Sequence, residues 1–525
     1  MPASVSIFKE FINQPTMLQQ KLPIRTLVFL GLCQFGQRGL ASAPELRDQP
    51  KKIAIVGAGI GGTAAAYFLR QEFGASVKID IFETGTVGGR LATENIAGAE
   101  YETGGAIIHP LNLHMKHFVD KLGLNPRKDV PSKMAIFDGK ELMFEESDWF
   151  IVNILRLLWR YGFNFLRMYM WVEGILDKFM RIYQYQQFGY AFSSVDRLLH
   201  AMGGDAFLTL ANQTLEEAMM GEGFSQSFLN DIVAPVTRVN YGQSVRINGF
   251  VGAVSLAGAD SGLWAVDGGN KRVCSGLLYH SKAELIQARV TAIAIKHRSS
   301  KSGNSVNLYE VNYSSQSGSA HSLYDIVIVA TPLHQGLSDI AFVGFSPLVP
   351  SHFPGRYHQT VATLVHGLLN VSYLGSGADP AHFLYSDILT TDHKWLDIQS
   401  LSSLDPVSIP PGYVRSPASQ PGVWKVFSPR PLTQEQLSAI FASWDVVSER
   451  RWLAYPAYSP PHRGTPPFEL HEHLYYLNAM EWAASAMEMS AISARNLALL
   501  AHHRWHGQAP KVDQEDLHTR LRGEL

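Results

Sequence analysis

Apolar residues fall along this chain in two patterns, and their order predicts a fold. Ile53 to Val56 and Ile326 to Ala330 are short unbroken runs of the length expected for strands buried on both faces of a parallel sheet. Between the first run and Ile79 to Glu83 lies a stretch of helix formers, Thr63 to Leu69, so residues 53–83 read as strand, helix, strand. From 131 to 267 that alternation is lost. Phe150 to Tyr161 runs on to Phe165 to Trp171 as a helical stretch rich in aromatic residues and methionine, with Arg156, Arg160 and Arg167 along one edge. Arg272 to His280 reads as helix. Ala288 to Ile295, Tyr309 to Tyr313, Val361 to Gly367 and Gly422 to Phe427 read as strands, and Ser299 to Ser305 as a turn. Leu474 to Asn478 predicts a strand, followed by a loop and an alanine- and leucine-rich helix from Ala486.

The turn after the first strand carries the first chemistry. Gly57 permits a tight turn, Gly59 lets a pyrophosphate approach the backbone, and Gly62 lets the helix pack on the strand. The open N–H groups at the start of that helix favour phosphate. Glu83, at the end of the second strand, is placed to accept hydrogen bonds from an adenosine ribose. NAD and FAD share this half-site, and these residues alone do not choose between them.

The next segments do choose. Gly88-Gly89-Arg90, then a short strand and Gly104-Gly105, exceed what a nicotinamide site needs. They are similar to the pattern of the FAD-dependent amine oxidase and desaturase superfamily, which implies non-covalently bound FAD, with the first segment along the pyrophosphate and the second against the flavin. Arg90 offers a forked donor to phosphate charge. By the same resemblance Gly268-Gly269 begins the return to the flavin domain, the Val290 backbone meets the adenine edge, Thr331 follows the Asp325 to Ala330 strand, and Ser490, Ala491 and Ile492 close the site at a helix N-terminus. The implied fold class is α/β: a Rossmann-type FAD-binding domain (51–130, 268–335, 456–510) interleaved with an α+β substrate domain (131–267, 336–455). A C-terminal tail (511–525) follows. The aromatic helices at 150–171 read as a helical cap, an apolar channel wall or a lipid-contacting face.

With 525 residues, 46% of them apolar, the chain is long enough for two packed domains. Its net charge of −2 gives no electrostatic case for a nucleic-acid partner. Lys21 and Arg25, the Leu27 to Cys33 apolar stretch and Ala41-Ser42-Ala43 resemble a secretory signal peptide, with residues 1–43 as leader and Met17 as an alternative start. Asn212, Asn312 and Asn370 head glycosylation sequons, whose meaning depends on secretion. Two cysteines, Cys33 and Cys274, leave no intrachain disulfide once a leader is removed, and Cys274 reads as a buried packing residue. No cysteine cluster for a metal exists, and His502, His503 and His506 read as a solvated helix face.

From Lys52 to Leu525 the chain resembles the prenylcysteine oxidase family. The resemblance is carried by Val87 to Thr93, Ile108-His109-Pro110-Leu111-Asn112-Leu113-His114-Met115, Trp171 to Glu173, Phe179 to Tyr183, Tyr241 to Ser244, Trp264 to Leu278 and Ala483 to Ile492. His109-Pro110-Leu111-Asn112 and Ala486 to Ile492 favour the oxidase branch over the prenylcysteine-oxidase-like branch. The resemblance implies oxidation of farnesylcysteine or geranylgeranylcysteine to free cysteine, a prenyl aldehyde and hydrogen peroxide, with dioxygen as acceptor, in lysosomal breakdown of prenylated proteins. Secretion and association with lipoprotein or a lipid surface are the further expectation. Hydride loss from the carbon between sulfur and the allylic chain is favourable, because the sulfur lone pairs and the double bond delocalise the cation. His109 and Lys271, beside glycine pairs, are the candidates for handling water or oxygen. Two other readings share the scaffold: a flavin amine oxidase or isoprenoid desaturase, and a secreted lipid-associated glycoprotein with a vestigial flavin site.

Overall fold

A computed structural model describes residues 49–523, apart from 260–261, 300–304, 376–379, 381–382 and 462–463. The leader, its alternative start, Cys33 and much of the turn at 299–305 lie outside the described residues. Strand β1 (Lys52–Val56), helix α1 (Ile60–Phe73) and strand β2 (Lys78–Glu83) form the predicted unit. They belong to a six-stranded sheet ordered Glu469–His471, Leu474–Tyr476, Ile326–Val329, β1, β2, Glu284–Gln287. All neighbours are parallel except the first pair. Ile53, Ala54 and Ile55 are fully buried, as are Ile326 to Val329, which accounts for their unbroken apolar character. Asp80 is the exception in β2. Its carboxylate is compensated by Lys52 Nζ at 2.9 Å and the Tyr324 hydroxyl at 2.8 Å.

Alanines let α1 lie close between its neighbours, the helix Lys271–Ser281 and the C-terminal helix Met487–Trp505. Ala64, Ala65 and Ala66 are buried among them. Cys274, on the first of those neighbours, is fully buried, and burial pushes its thiol up to about 12. A four-stranded sheet follows, built from Gly318–Tyr324, Ser305–Ser315, Arg289–Ser299 and Ala341–Val343.

The other half is a seven-stranded sheet ordered Phe441–Pro456, Tyr357–Leu369, Gly422–Ser428, Ser400–Ser403, Asp387–Thr390, Met134–Phe137, Leu142–Glu145. The two predicted strands here pair antiparallel, Val361 with Ser428 through to Gly367 with Gly422. Helices cover this half. The aromatic stretch forms α2 (Phe150–Tyr161) and α3 (Asn164–Phe179), broken at Gly162, whose φ of +58° suits a residue without Cβ. Among the described residues no helix is long and apolar enough to cross a membrane. Residues 511–523 continue as a docked segment: Ser193 N donates to Asp513 Oδ1 at 2.8 Å, and the helix Leu517–Gly523 buries Leu517 and Leu521.

Candidate active site

One cavity of about 880 Å³ runs from the turn after β1 to the inner face of the seven-stranded sheet. At its first end Gly57 has φ +108° and donates to Phe82 O at 2.8 Å, making the tight turn. Gly59 lines the cavity, and the nearest atom to a Cβ built there is Gly88 O at 3.8 Å, so bare backbone faces open space. Gly62 is not in the wall. A Cβ there would sit 1.9 Å from Gly57 O, so its absence lets α1 press on the turn. Glu83 lines the cavity while its carboxylate accepts from Ala58 N at 2.8 Å and Gly85 N at 2.7 Å. Those bonds fix its orientation and leave lone pairs for a ribose diol.

Gly88, Gly89, Arg90, Gly104, Gly105, Thr331 and Ser490 also line this cavity. Gly104 must be glycine, because a Cβ would lie 1.9 Å from Arg90 O. Asn270 pins this segment, its amide nitrogen donating to Gly105 O at 3.0 Å and its backbone N–H to Glu102 Oε1 at 2.7 Å. The helix Met487–Trp505 begins at the cavity with Met487 to Ser490 in the wall. A long groove of bare backbone, a fixed acid at one end and a helix N-terminus at the other fit FAD, and they exceed what a mononucleotide would occupy.

Several residues sit elsewhere than expected. Val290, Ala491 and Ile492 are buried outside the cavity wall; Val290 stands opposite Tyr313, beside a bulge in its strand. Lys271 also lies outside the wall. Its ammonium meets Glu100 at 3.0 Å and Thr93 Oγ1 on the neighbouring hairpin, so its charge is used there and not on water or oxygen in the cavity. Arg90 is in the wall, but its guanidinium pairs with Glu481 and donates to Ala454 O. Tyr357 OH at 2.6 Å and Asn478 Nδ2 at 2.8 Å complete the shell around that carboxylate. Burial works against the Arg90 charge, yet Glu481 holds its pKa above the ordinary value. The forked donor expected for phosphate is thus spent on a buried carboxylate almost four hundred residues away, which no local pattern announces. His109 does line the cavity. Its Nδ1 accepts from Leu111 N at 3.1 Å, which puts the proton of a neutral ring on Nε2.

Three groups in the wall carry no local signal. Lys425, on the strand Gly422–Ser428, is 2% exposed, and its one described hydrogen bond is to Glu102 O at 3.4 Å. Burial pushes its ammonium down to about 8, opposed by the Glu102 and Asp387 carboxylates. Gln399 donates from Nε2 to Gly242 O at 3.0 Å while its Oε1 is buried with no partner among the described residues. Glu488 accepts from His114 N at 2.7 Å, Met115 N at 2.9 Å and Tyr183 OH at 2.7 Å, and burial lifts it to about 7. A lysine in a strand that otherwise reads as buried is the only trace of these in the sequence. No group of three or more histidine, cysteine, aspartate or glutamate side chains converges as a metal site among the described residues.

The fold and the cradle together define an FAD-dependent flavoprotein of the amine oxidase fold. Solved structures of a putrescine oxidase variant (15% identity, TM-score 0.53) and of cyclohexylamine oxidase from Brevibacterium oxydans IH-35A (16%, 0.52) share that fold over 86% of this chain and 99% of each of theirs. A family model for an NAD(P)-binding Rossmann-like domain matches residues 55–122, and one for prenylcysteine lyase matches residues 144–514. Prenylcysteine oxidase 1 of Bos taurus is 51% identical over 95% of this chain and 97% of its own, and that of Homo sapiens 52% over 93% and 96%. Prenylcysteine oxidase 1-like of Homo sapiens is 46% identical over 93% and 97%. The chain belongs to the prenylcysteine oxidase family and is more similar to these oxidases than to the -like protein.

Proposed function

We propose that this protein oxidises the thioether of farnesylcysteine or geranylgeranylcysteine, giving free cysteine, a prenyl aldehyde and hydrogen peroxide, with dioxygen as the terminal acceptor. The observation that carries this reading is the continuity of one cavity from the dinucleotide cradle into an apolar branch. That branch is walled by Val172, Ile175, Leu176 and Phe179 of α3 together with Phe250 and Val254. FAD, when bound, supplies the hydride acceptor. The chain supplies a dry slot that holds the prenyl group, and a polar wall that receives the amino-acid end. Lys425 is a cation in a low-dielectric wall suited to a carboxylate, and Gln399 Oε1 is an acceptor suited to an ammonium. His109, with its proton on Nε2, stands as a donor beside the glycine segment. Loss of hydride from the carbon bearing sulfur, addition of water there, and collapse of the hemithioacetal account for the products.

The substrate's lipid character extends the reading to the surface. Trp149, Ile151, Leu155 and Trp159 project from α2 and the residue before it, with Trp159 94% exposed; Arg156 lies on the same helix, and Arg160 there is paired with Asp231 at 3.1 Å. A basic helix with an exposed aromatic and aliphatic face suits an anionic lipid surface. Passage through the secretory pathway to the lysosome is part of the same proposal. Of the three sequon asparagines Asn212 is exposed, whereas Asn312 and Asn370 are half-buried; the side-chain amides of Asn212 and Asn370 each donate to a backbone carbonyl, Leu208 O at 3.0 Å and Ala439 O at 2.9 Å. Asn212 is therefore the first candidate for glycosylation.

The test is an absorbance spectrum of the purified protein followed by anaerobic mixing with farnesylcysteine. Bleaching of the visible flavin band, and peroxide release on readmitting air, is the expected result. An unchanged yellow spectrum would sink the proposal, and a panel of polyamines and polyenes run alongside would reveal an amine oxidase or desaturase.

A further inference from the structure

Beyond the apolar branch lies a second, smaller chamber of about 40 Å³. It shares Val239, Asn240 and Gly258 with the wall of the main cavity, so those three residues form the partition between the two. The rest of its lining is apolar and comes from three directions: Leu157, Phe165 and Met168 from α2 and α3, Ile136 and Leu389 from the sheet, and Val236 from the helix Ala234–Tyr241. The partition holds its one polar side chain away from the void: the Asn240 amide nitrogen donates to Ser255 O at 3.1 Å and Ser255 Oγ at 3.0 Å. Gly258 keeps the partition thin. A Cβ there would stand 3.1 Å from Ser255 O and 3.4 Å from Asn240 Nδ2.

Protein interiors are packed nearly without voids, and an apolar void that persists is dry and takes apolar ligands. We propose that this chamber is a distal subsite for the terminal methyl groups of a geranylgeranyl chain, which a farnesyl chain ends short of reaching. The proposal rests on the thioether oxidase reading above. The chamber as it stands matches the end of a chain more than a whole unit. The two methionines in its wall, Met134 and Met168, are the side chains that adapt most readily to an incoming branched end. The same helices that wall the chamber carry the exposed aromatic face on their outer side, so the buried end of the prenyl chain lies beneath the lipid-facing surface.

The experiment compares kcat/KM for farnesylcysteine and geranylgeranylcysteine in the FAD-loaded wild type and two variants. Ala259→Leu, from the chamber wall just past the partition, fills the void, and Met168→Ala enlarges it. Filling should lower kcat/KM for geranylgeranylcysteine roughly tenfold or more while farnesylcysteine stays within about twofold. Enlarging should shift the ratio towards geranylgeranylcysteine. Thermal melts and the visible spectrum establish that each variant folds and holds cofactor, and because the two variants move the ratio in opposite directions, loss of one leaves the other decisive. An unchanged ratio in a folded variant, or equal losses on both substrates, would overturn the subsite. Failure of the wild type on both prenylcysteines would instead overturn the oxidase reading.

Discussion

The two halves of this molecule build their shares of one cavity by opposite means. The half containing β1, α1 and β2 presents backbone: Gly59 faces open space, Gly57 turns at φ +108°, and Gly104 approaches Arg90 O too closely for any side chain. The half built on the seven-stranded sheet presents side chains from far apart in the sequence, with Lys425, Gln399 and Phe179 meeting in one wall. Backbone recognition tolerates no Cβ, whereas a wall of side chains can be rebuilt one residue at a time. The first half should therefore fail abruptly on mutation and the second should change what it binds.

The largest effect is expected at Gly62. A methyl 1.9 Å from Gly57 O cannot be relieved by a rotamer change, since both partners are backbone. Gly62→Ala should cost more than about 4 kcal/mol. Protein without visible absorbance, or none in the soluble fraction, is the outcome sought in a spectrum and a urea titration. A yellow variant with the wild-type midpoint would show that α1 can slide away from the turn.

Glu481 comes next and joins the two halves. It holds Arg90 from the glycine segment and Tyr357 from the large sheet. Glu481→Ala leaves the guanidinium without its carboxylate, which costs about 3 kcal/mol at the lower end of the range for buried pairs, because Arg90 faces the cavity. Denaturant melts should record that loss. Glu481→Gln keeps one acceptor oxygen but turns an amide donor towards Arg90, Tyr357 or Asn478, so it should recover only a small part of it.

Glu83→Ala acts on the cofactor and leaves the fold in place. Removing a charge-assisted acceptor for the ribose should weaken FAD retention by roughly 1.5–3 kcal/mol, read by equilibrium dialysis or ultrafiltration. Since Glu83 also accepts from Ala58 N and Gly85 N, Glu83→Gln should restore less than isosteric replacement suggests. Each carboxylate oxygen accepts from one of those N–H groups, so the amide nitrogen would face one of them donor to donor.

How much of each half was legible in the sequence follows from the same contrast. Gly57, Gly59, Gly62 and Glu83 are close in the chain and repeat a spacing that backbone geometry enforces, so β1, α1, β2 and the cradle could be read directly. The strands Val361 to Gly367 and Gly422 to Phe427 showed their period, but not that Lys425 points inward beside Glu102. A glycine pair points to Lys271 and a strand placed at the adenine edge points to Val290, yet neither lies in the cavity wall, and the Lys271 ammonium is engaged by Glu100. Arg90 was read as a phosphate donor because its partner, Glu481, is distant in sequence and adjacent only in the fold.

Buried titratable groups in and behind the wall should make stability depend on pH. Burial lifts Glu488 from an ordinary value of 4.5, and Asp387 from 3.8, to about 7. Between the ordinary values and about 7 the folded state binds more protons than the unfolded chain, so stability falls as pH rises through that window. Lys425 acts above it: its ammonium is pushed down from 10.5 to about 8, so the unfolded chain binds more protons between those values and stability recovers as pH rises. His114 and His358, which burial holds down to about 4, act the other way below neutrality, so the change expected in urea midpoints is the Lys425 rise from about pH 8 to 9. Lys425→Met should remove that rise, and a flat wild-type profile over the same range would show that water reaches the ammonium.

The smallest effect on stability, and the clearest on function, is expected on the outer face of α2. Trp159 and Trp149 are 94% and 75% exposed, so exchanging them for alanine removes little packing and should move the denaturation midpoint by less than about 0.5 kcal/mol. A face that only packs against water would show nothing further. A face that docks on lipid loses its two largest anchors, so the double variant should be retained less by vesicles containing anionic lipid. Arg156→Ala should weaken retention mainly at low salt, because the charge contribution is screened over about 10 Å at 0.1 M. Turnover of farnesylcysteine dispersed in detergent should stay at the wild-type rate in the tryptophan variant, while turnover of the same substrate presented in vesicles falls. Equal rates in both presentations would assign the exposed aromatics no part in substrate delivery, leaving the inner face of α2 and α3 as the only side that serves the prenyl chain.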